Sequence, residues 1–127
     1  MRPIYIYDIP HKDHRKEASE TVGDWHARGG EDHIEVSGMK DERYELLIAV
    51  HELVEKVLCD TAGITEQQVD EFDNNFKGVG EPGDDINAPY YHQHQIATII
   101  ERIVAVELNV NWEKYEKAID SLFEATS

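Results

Sequence analysis

The chain has 127 residues, the size of one domain, and its 40% hydrophobic against 31% charged residues suffice for one modest core. Twelve basic against 27 acidic side chains give a formal net charge of −15, which repels phosphate backbones and excludes general coating of DNA or RNA. The lone Cys59 excludes an internal disulfide, and no apolar run reaches the roughly 18 residues of a membrane span.

The first forty residues carry six basic and eight acidic side chains, the remaining 87 six and nineteen, so the two parts present different fields to a partner. The opening MRPIYIYDIP is polar by its eighth residue and lacks the apolar stretch of a signal peptide, which predicts a cytoplasmic protein. Ile4 and Ile6 alternate with Tyr5 and Tyr7, and Ile34 and Val36 with His33 and Glu35, the period of half-buried strands. Gly29-Gly30 supplies the positive φ that a tight hairpin needs. These signals predict a small antiparallel sheet of two or three strands over residues 1–40. His11–Glu20 is too polar for a strand and reads as a loop or frayed turn.

Residues 41–127 read as three or four packed helices, giving a single α+β domain over 1–127. The first helix runs from about Glu42 to Cys59, with Leu46, Leu47, Val50, Leu53, Val54, Val57 and Leu58 as its apolar face and Gly63 as its stop. Thr65 with Gln68 forms a capping box for the second, whose inward stripe is Val69, Phe72 and Phe76. Lys77–Pro89, with three glycines and two prolines, is a long loop. Pro89 opens the third helix, which runs to about Leu108, and Asn111 caps a fourth with Trp112, Tyr115, Ile119 and Leu122 turned inward.

Chemistry concentrates in His51-Glu52-Leu53-Val54-Glu55. Positions i and i+4 stand one above the other on a helix, so His51 and Glu55 can share a metal ion, with Glu52 about 100° around the helix as general base. The bland alternative is a solvent face of Glu45, Ala49, Glu52 and Lys56, with Glu52 and Lys56 as an ion pair. On the third helix His94, Ala97, Thr98, Glu101, Ala105 and Leu108 share one face, a polar pair among small residues. The two helices therefore pack with this small face toward the first, His94 joining His51 and Glu55. Glu101, about 10 Å along the axis from His94, then orients a ligand from behind or serves a second ion. Asp73 and the loop acids Glu81 and Asp85 are further oxygen ligands, suited to magnesium or manganese; zinc suits the histidines. His11, Lys12, His14, Arg15 and Lys16 form the one basic island, with Lys12, Arg15 and Lys16 as candidate anion ligands. A solvated loop is the plainer alternative.

The pentapeptide resembles the HExxH helix of minimal zincin metalloproteases, with Glu55 where they carry a second histidine. Taken with RYELLIAVHELVE, Gly63-Ile64, Phe72-Asp73, EPGDDINAPY and the His94–Glu101 pair, residues 22–115 resemble a family of small phage and prophage proteins of unknown function. That resemblance implies a bacterial or phage-infected cytoplasm and keeps His51, Glu52, Glu55, Asp73, Glu81, Asp85, His94 and Glu101 together as one site. Two functions follow. One is a metal-dependent hydrolase of a phosphorylated or nucleotide-like small molecule. The other is a non-catalytic protein that sequesters a small nucleotide or masks a basic host protein, and a homodimer is compatible with both.

Overall fold

In the computed structural model, which describes residues 1–18 and 20–126, a three-stranded sheet precedes four helices. The strands are β1 (Ile4–Ile9), β2 (Gly23–Arg28) and β3 (Glu31–Ser37), and the helices α1 (Glu42–Ala62), α2 (Glu66–Asn75), α3 (Tyr91–Glu107) and α4 (Trp112–Thr126). Among the described residues, no helix is long and apolar enough to cross a membrane.

The sheet has the order β1-β3-β2 and is mixed rather than antiparallel throughout. Gly29 and Gly30, at φ +57° and +83°, turn β2 directly back on β3 and make that pair antiparallel. β1 reaches the other edge of β3 through the long segment 10–22, which leaves it free to run parallel. That segment opens with a 3-10 turn at His11–Asp13, and Glu35 is buried although it alternates with Ile34 and Val36. His11 Nδ1 and His14 Nε2 both meet the Ser37 hydroxyl, at 2.8 and 2.9 Å, so the segment covers the sheet's second face.

The helix signals hold closely. Asp41 caps α1, Gly63 ends it in the left-handed region at φ +75°, and the Thr65–Gln68 capping box opens α2. α1 runs three residues past the predicted end. α3 begins at Tyr91, two residues after Pro89. Asn111 accepts from the Lys114 amide at 3.0 Å at the start of α4.

The orientation of α1 differs from the expectation. Its buried residues are Leu47, Ile48, Ala49, His51, Glu55, Lys56 and Cys59, while Leu46 and Val57 stay about half exposed, at 48% and 46%. The predicted solvent face is thus largely interior: Lys56 pairs with Asp32 at 3.0 Å and with Asp60, not with Glu52. Helix α1 lies on the sheet, against Trp25, Ile34 and Val36, and packs lengthwise on α3. Gly23 permits the closest approach. A Cβ there would stand 2.6 Å from Ile48 Cγ2 and 2.8 Å from Glu52 Cγ.

Candidate functional site

The inward faces of α1 and α3 are polar at their centre. Ala97, fully buried, and Ala105 let the two helices approach, and His94 and Glu101 share that face with them. Opposite stand His51 and Glu55, one helical turn apart on α1. His51 Nε2 lies 3.2 Å from Glu55 Oε2 and 3.2 Å from His94 Nδ1, and His94 Nδ1 lies 2.9 Å from the same Glu55 oxygen. Bonds of about 2.0–2.2 Å to one divalent ion set neighbouring ligand atoms roughly 2.9–3.5 Å apart. The three atoms therefore already have the mutual spacing of one face of a coordination shell.

The other nitrogen of each ring faces carboxylates. Glu101 Oε1 meets His51 Nδ1 at 2.8 Å, and Glu101 is itself held by the Tyr115 hydroxyl at 2.5 Å. His94 Nε2 is 3.2 Å from Glu81 Oε2 and 3.3 Å from Asp84 Oδ1, near enough for an ion pair with either and aligned for a linear hydrogen bond with neither. With a proton on each of these outer nitrogens, the lone pairs of both rings turn to the shared centre. Glu55 is fixed from its other oxygen, which accepts from Trp25 Nε1 at 3.1 Å. Gly83, in the 3-10 turn Pro82–Asp84, packs flat on the His94 ring, where an added Cβ would lie 2.5 Å from Cγ.

Burial and neighbouring charge set the protonation of this group. Burial alone would depress the His51 and His94 pKa values, but hydrogen bonds donated to Glu101 and Glu55 raise His51 well above an ordinary imidazole, and a hydrogen bond donated to Glu55 together with the adjacent Glu81 carboxylate raises His94 to about 10. Burial pushes Glu55 up, yet the two histidines outweigh it and hold the carboxyl well below the usual range. Glu52 has no such partner. Its carboxylate is 3.9 Å from His51 Nε2, and burial together with the Glu55 charge raises its pKa well above that of a free carboxyl. Asp73 is raised to about 6, chiefly by burial, while accepting from the Tyr90 hydroxyl at 2.5 Å.

A cleft of about 670 Å³ opens over these residues, with Trp25, Glu52, Asp73, Arg102 and Trp112 among its walls and the Arg102 guanidinium 4.4 Å over the Trp112 ring. Most of its ionisable lining is acidic. The predicted residues distribute unevenly around it. His51, Glu52, Glu55, Asp73, Glu81, His94 and Glu101 all line the cleft. Asp85 does not; it turns back to accept from the Asn87 amide, and Asp84 takes the place beside His94. The basic island is dispersed. Arg15 gives its guanidinium to Asp24 at 2.7 and 3.0 Å and to Asp70 at 2.9 and 3.0 Å, and Lys12 and Lys16 are exposed and line no part of the cleft. Nothing therefore gathers Lys12, Arg15 and Lys16 into one anion site.

Trp25 and Tyr115 carried no local signal for the site, since each reaches it from a separate element, whereas Asp84 belongs to the loop carboxylates that the sequence offers as oxygen ligands. A second group of close donors, Asp24, His26 and Glu35, lies on the sheet, with His26 Nε2 2.5 Å from Glu35 Oε1. There Asp24 is already committed to Arg15. No protein-family model matches the sequence, nor does any curated protein or solved structure.

Proposed function

We propose that the protein is a metal-dependent hydrolase whose single ion, zinc or manganese, is held by His51 Nε2, His94 Nδ1 and Glu55 Oε2. The observation that carries the reading is the convergence of these three atoms at 2.9–3.2 Å, with a carboxylate behind each histidine. A divalent ion held by these residues would supply Lewis acidity toward a substrate or water oxygen. Glu52 is the proton carrier: a buried carboxyl with a raised pKa, beside the donor set but not committed to it. Asp73 and Asp84 add oxygens from the rim.

The cleft has the volume of an ordinary small-molecule site. A phosphorylated or nucleotide-like substrate agrees with that volume when divalent cations offset its charge among so many carboxylates. The acidic walls equally favour the second reading, a binding protein that sequesters a nucleotide with its cation or covers a basic host protein. The proposed setting for either is a bacterial or phage-infected cytoplasm. Glu52→Gln separates the two. It should retain metal and fold yet lose turnover in a screen against nucleotides and cyclic dinucleotides, since an amide takes no proton. If an active preparation keeps its rate in Glu52→Gln, Glu52 is not the base. Absence of stoichiometric metal binding by the untagged wild type would end the reading.

A further inference from the structure

The turn before α3 brings two carboxylates to the nitrogen of His94 that faces away from the shared centre. Glu81 precedes the 3-10 turn Pro82–Asp84 and Asp84 ends it, with the Asp84 amide donating to the Glu81 carbonyl at 3.1 Å. Glu81 Oε2 and Asp84 Oδ1 lie 3.2 and 3.3 Å from His94 Nε2, and the three atoms are all within 4.8 Å of one another. Asp84 Oδ1 also accepts from the Gln95 side-chain amide at 3.0 Å, which holds it in place. His94 is only 5% exposed, yet its buried Nε2 has no hydrogen-bond partner among the described residues. An imidazole N–H points along one line in the ring plane and serves one acceptor well. A divalent cation needs only a shell of oxygens and nitrogens at bonding distance, and would engage all three atoms at once.

We propose that His94 Nε2, Glu81 Oε2 and Asp84 Oδ1 form a second station for a divalent cation at the rim of the cleft, filled only when the inner set of His51, Glu55 and His94 Nδ1 is not. The exclusion rests on the metal centre of the hydrolase reading; the rim station itself does not. A neutral imidazole has one lone pair. When Nδ1 holds the inner ion, Nε2 carries the proton. When Nε2 holds the rim ion, Nδ1 carries it and donates to Glu55 Oε2 at 2.9 Å, the carboxylate contact that orients a histidine ligand. Two stations thus share one ring, and the chain takes one ion at a time. Their chemistry differs. The inner set has two imidazoles and one carboxylate, all buried. The rim set has one imidazole and two carboxylates, whose side chains are 69% and 56% exposed. Oxygen-rich, hydrated coordination suits manganese or magnesium better than zinc. A cation drawn from solvent by the acidic cleft meets this exposed station before the buried one.

Calorimetric titration of the untagged full chain with manganese alone and with zinc alone tests this. Wild type should bind one equivalent of either ion. His51→Ala removes an inner ligand and should still bind one equivalent of manganese, weakly, with a smaller preference for zinc over manganese than wild type shows. Adding Glu81→Gln and Asp84→Asn to His51→Ala should abolish that residual binding. Glu81→Gln with Asp84→Asn alone should keep one equivalent of zinc at the inner set. Should circular dichroism show His51→Ala unfolded, Glu55→Gln takes its place, since the amide oxygen still accepts from Nδ1–H. A folded inner-set variant that binds no manganese, or residual binding that survives the rim substitutions, would overturn the rim station and leave the inner centre standing. Two equivalents in wild type would overturn the exclusion. Loss of all binding in the rim variant alone, with His51→Ala binding as wild type does, would support the rim station and end the inner reading.

Discussion

His51 and His94 are poised between two states of the same geometry. In the metal-free protein their protons bridge to Glu55, and displacement of those protons leaves the same atoms as ligands. The nitrogen that does not face the centre decides which state is reachable, and Glu101, backed by Tyr115, fixes it for His51. Losing one of three ligands should remove most of the metal affinity, so His51→Ala should bind zinc or manganese far more weakly than wild type in calorimetry. His33→Ala is the control. Its ring sits on the sheet, bonded to the Tyr7 hydroxyl at 2.8 Å and outside the donor set, and the variant should bind as wild type does. Equal loss in both variants would point to general destabilisation instead. Gly83→Ala tests the same imidazole from its other side. The new Cβ must displace the turn from the His94 ring, so metal affinity should fall with little change in melting temperature. Unchanged affinity would show that the Glu81–Asp84 turn does not orient His94.

Packing between α1 and α3 carries the site, and it is sensitive to volume. Ala97 is wholly buried at this contact, so Ala97→Leu should overpack it and cost about 1–3 kcal/mol in chemical denaturation. An unchanged denaturation midpoint would mean that the helices part without cost. Much of this arrangement is legible in the sequence because its signals are local: the Thr65 and Asn111 caps, the Gly63 stop, the Gly29-Gly30 hairpin and the small face of α3. The i,i+4 relation of His51 and Glu55 is local too. The inward face of α1 is not. Periodicity marks where apolar residues repeat, not which side of the helix the fold covers, and α1 places its most regular apolar stripe outward. Asp84 and Asp85 are likewise equivalent in sequence, and only the tight turn at Pro82 decides which of them meets His94. The parallel pairing of β1 depends on the path of segment 10–22, which no short motif encodes.

Proton and metal occupancy should oppose one another across the protein's working range. His94 is raised from 6.5 to about 10, so its ionic contribution to stability is complete below pH 6.5 and fades as pH rises toward 10. Glu55 is depressed from 4.5, so its contribution is complete above pH 4.5 and is lost as acid protonates it below that value. Metal-free protein should therefore melt highest between these limits. Metal binding needs both imidazoles neutral, so the rise in melting temperature on adding metal should grow with pH above 6.5, as the metal-free protein itself weakens. Paired thermal scans with and without manganese read both trends, and a metal-induced shift that is flat with pH would contradict the assignment. The fourfold bonding of Arg15 has its own consequence for how the chain comes apart. Its partners lie nine and 55 positions further along, so one guanidinium closes a long loop in a chain with no disulfide to do so. An ionic clasp is vulnerable where a covalent one is not. Guanidinium chloride, which offers Asp24 and Asp70 the same cation that Arg15 provides, should loosen the N-terminal segment before the helices unfold, whereas urea leaves the clasp and the fold to fail together.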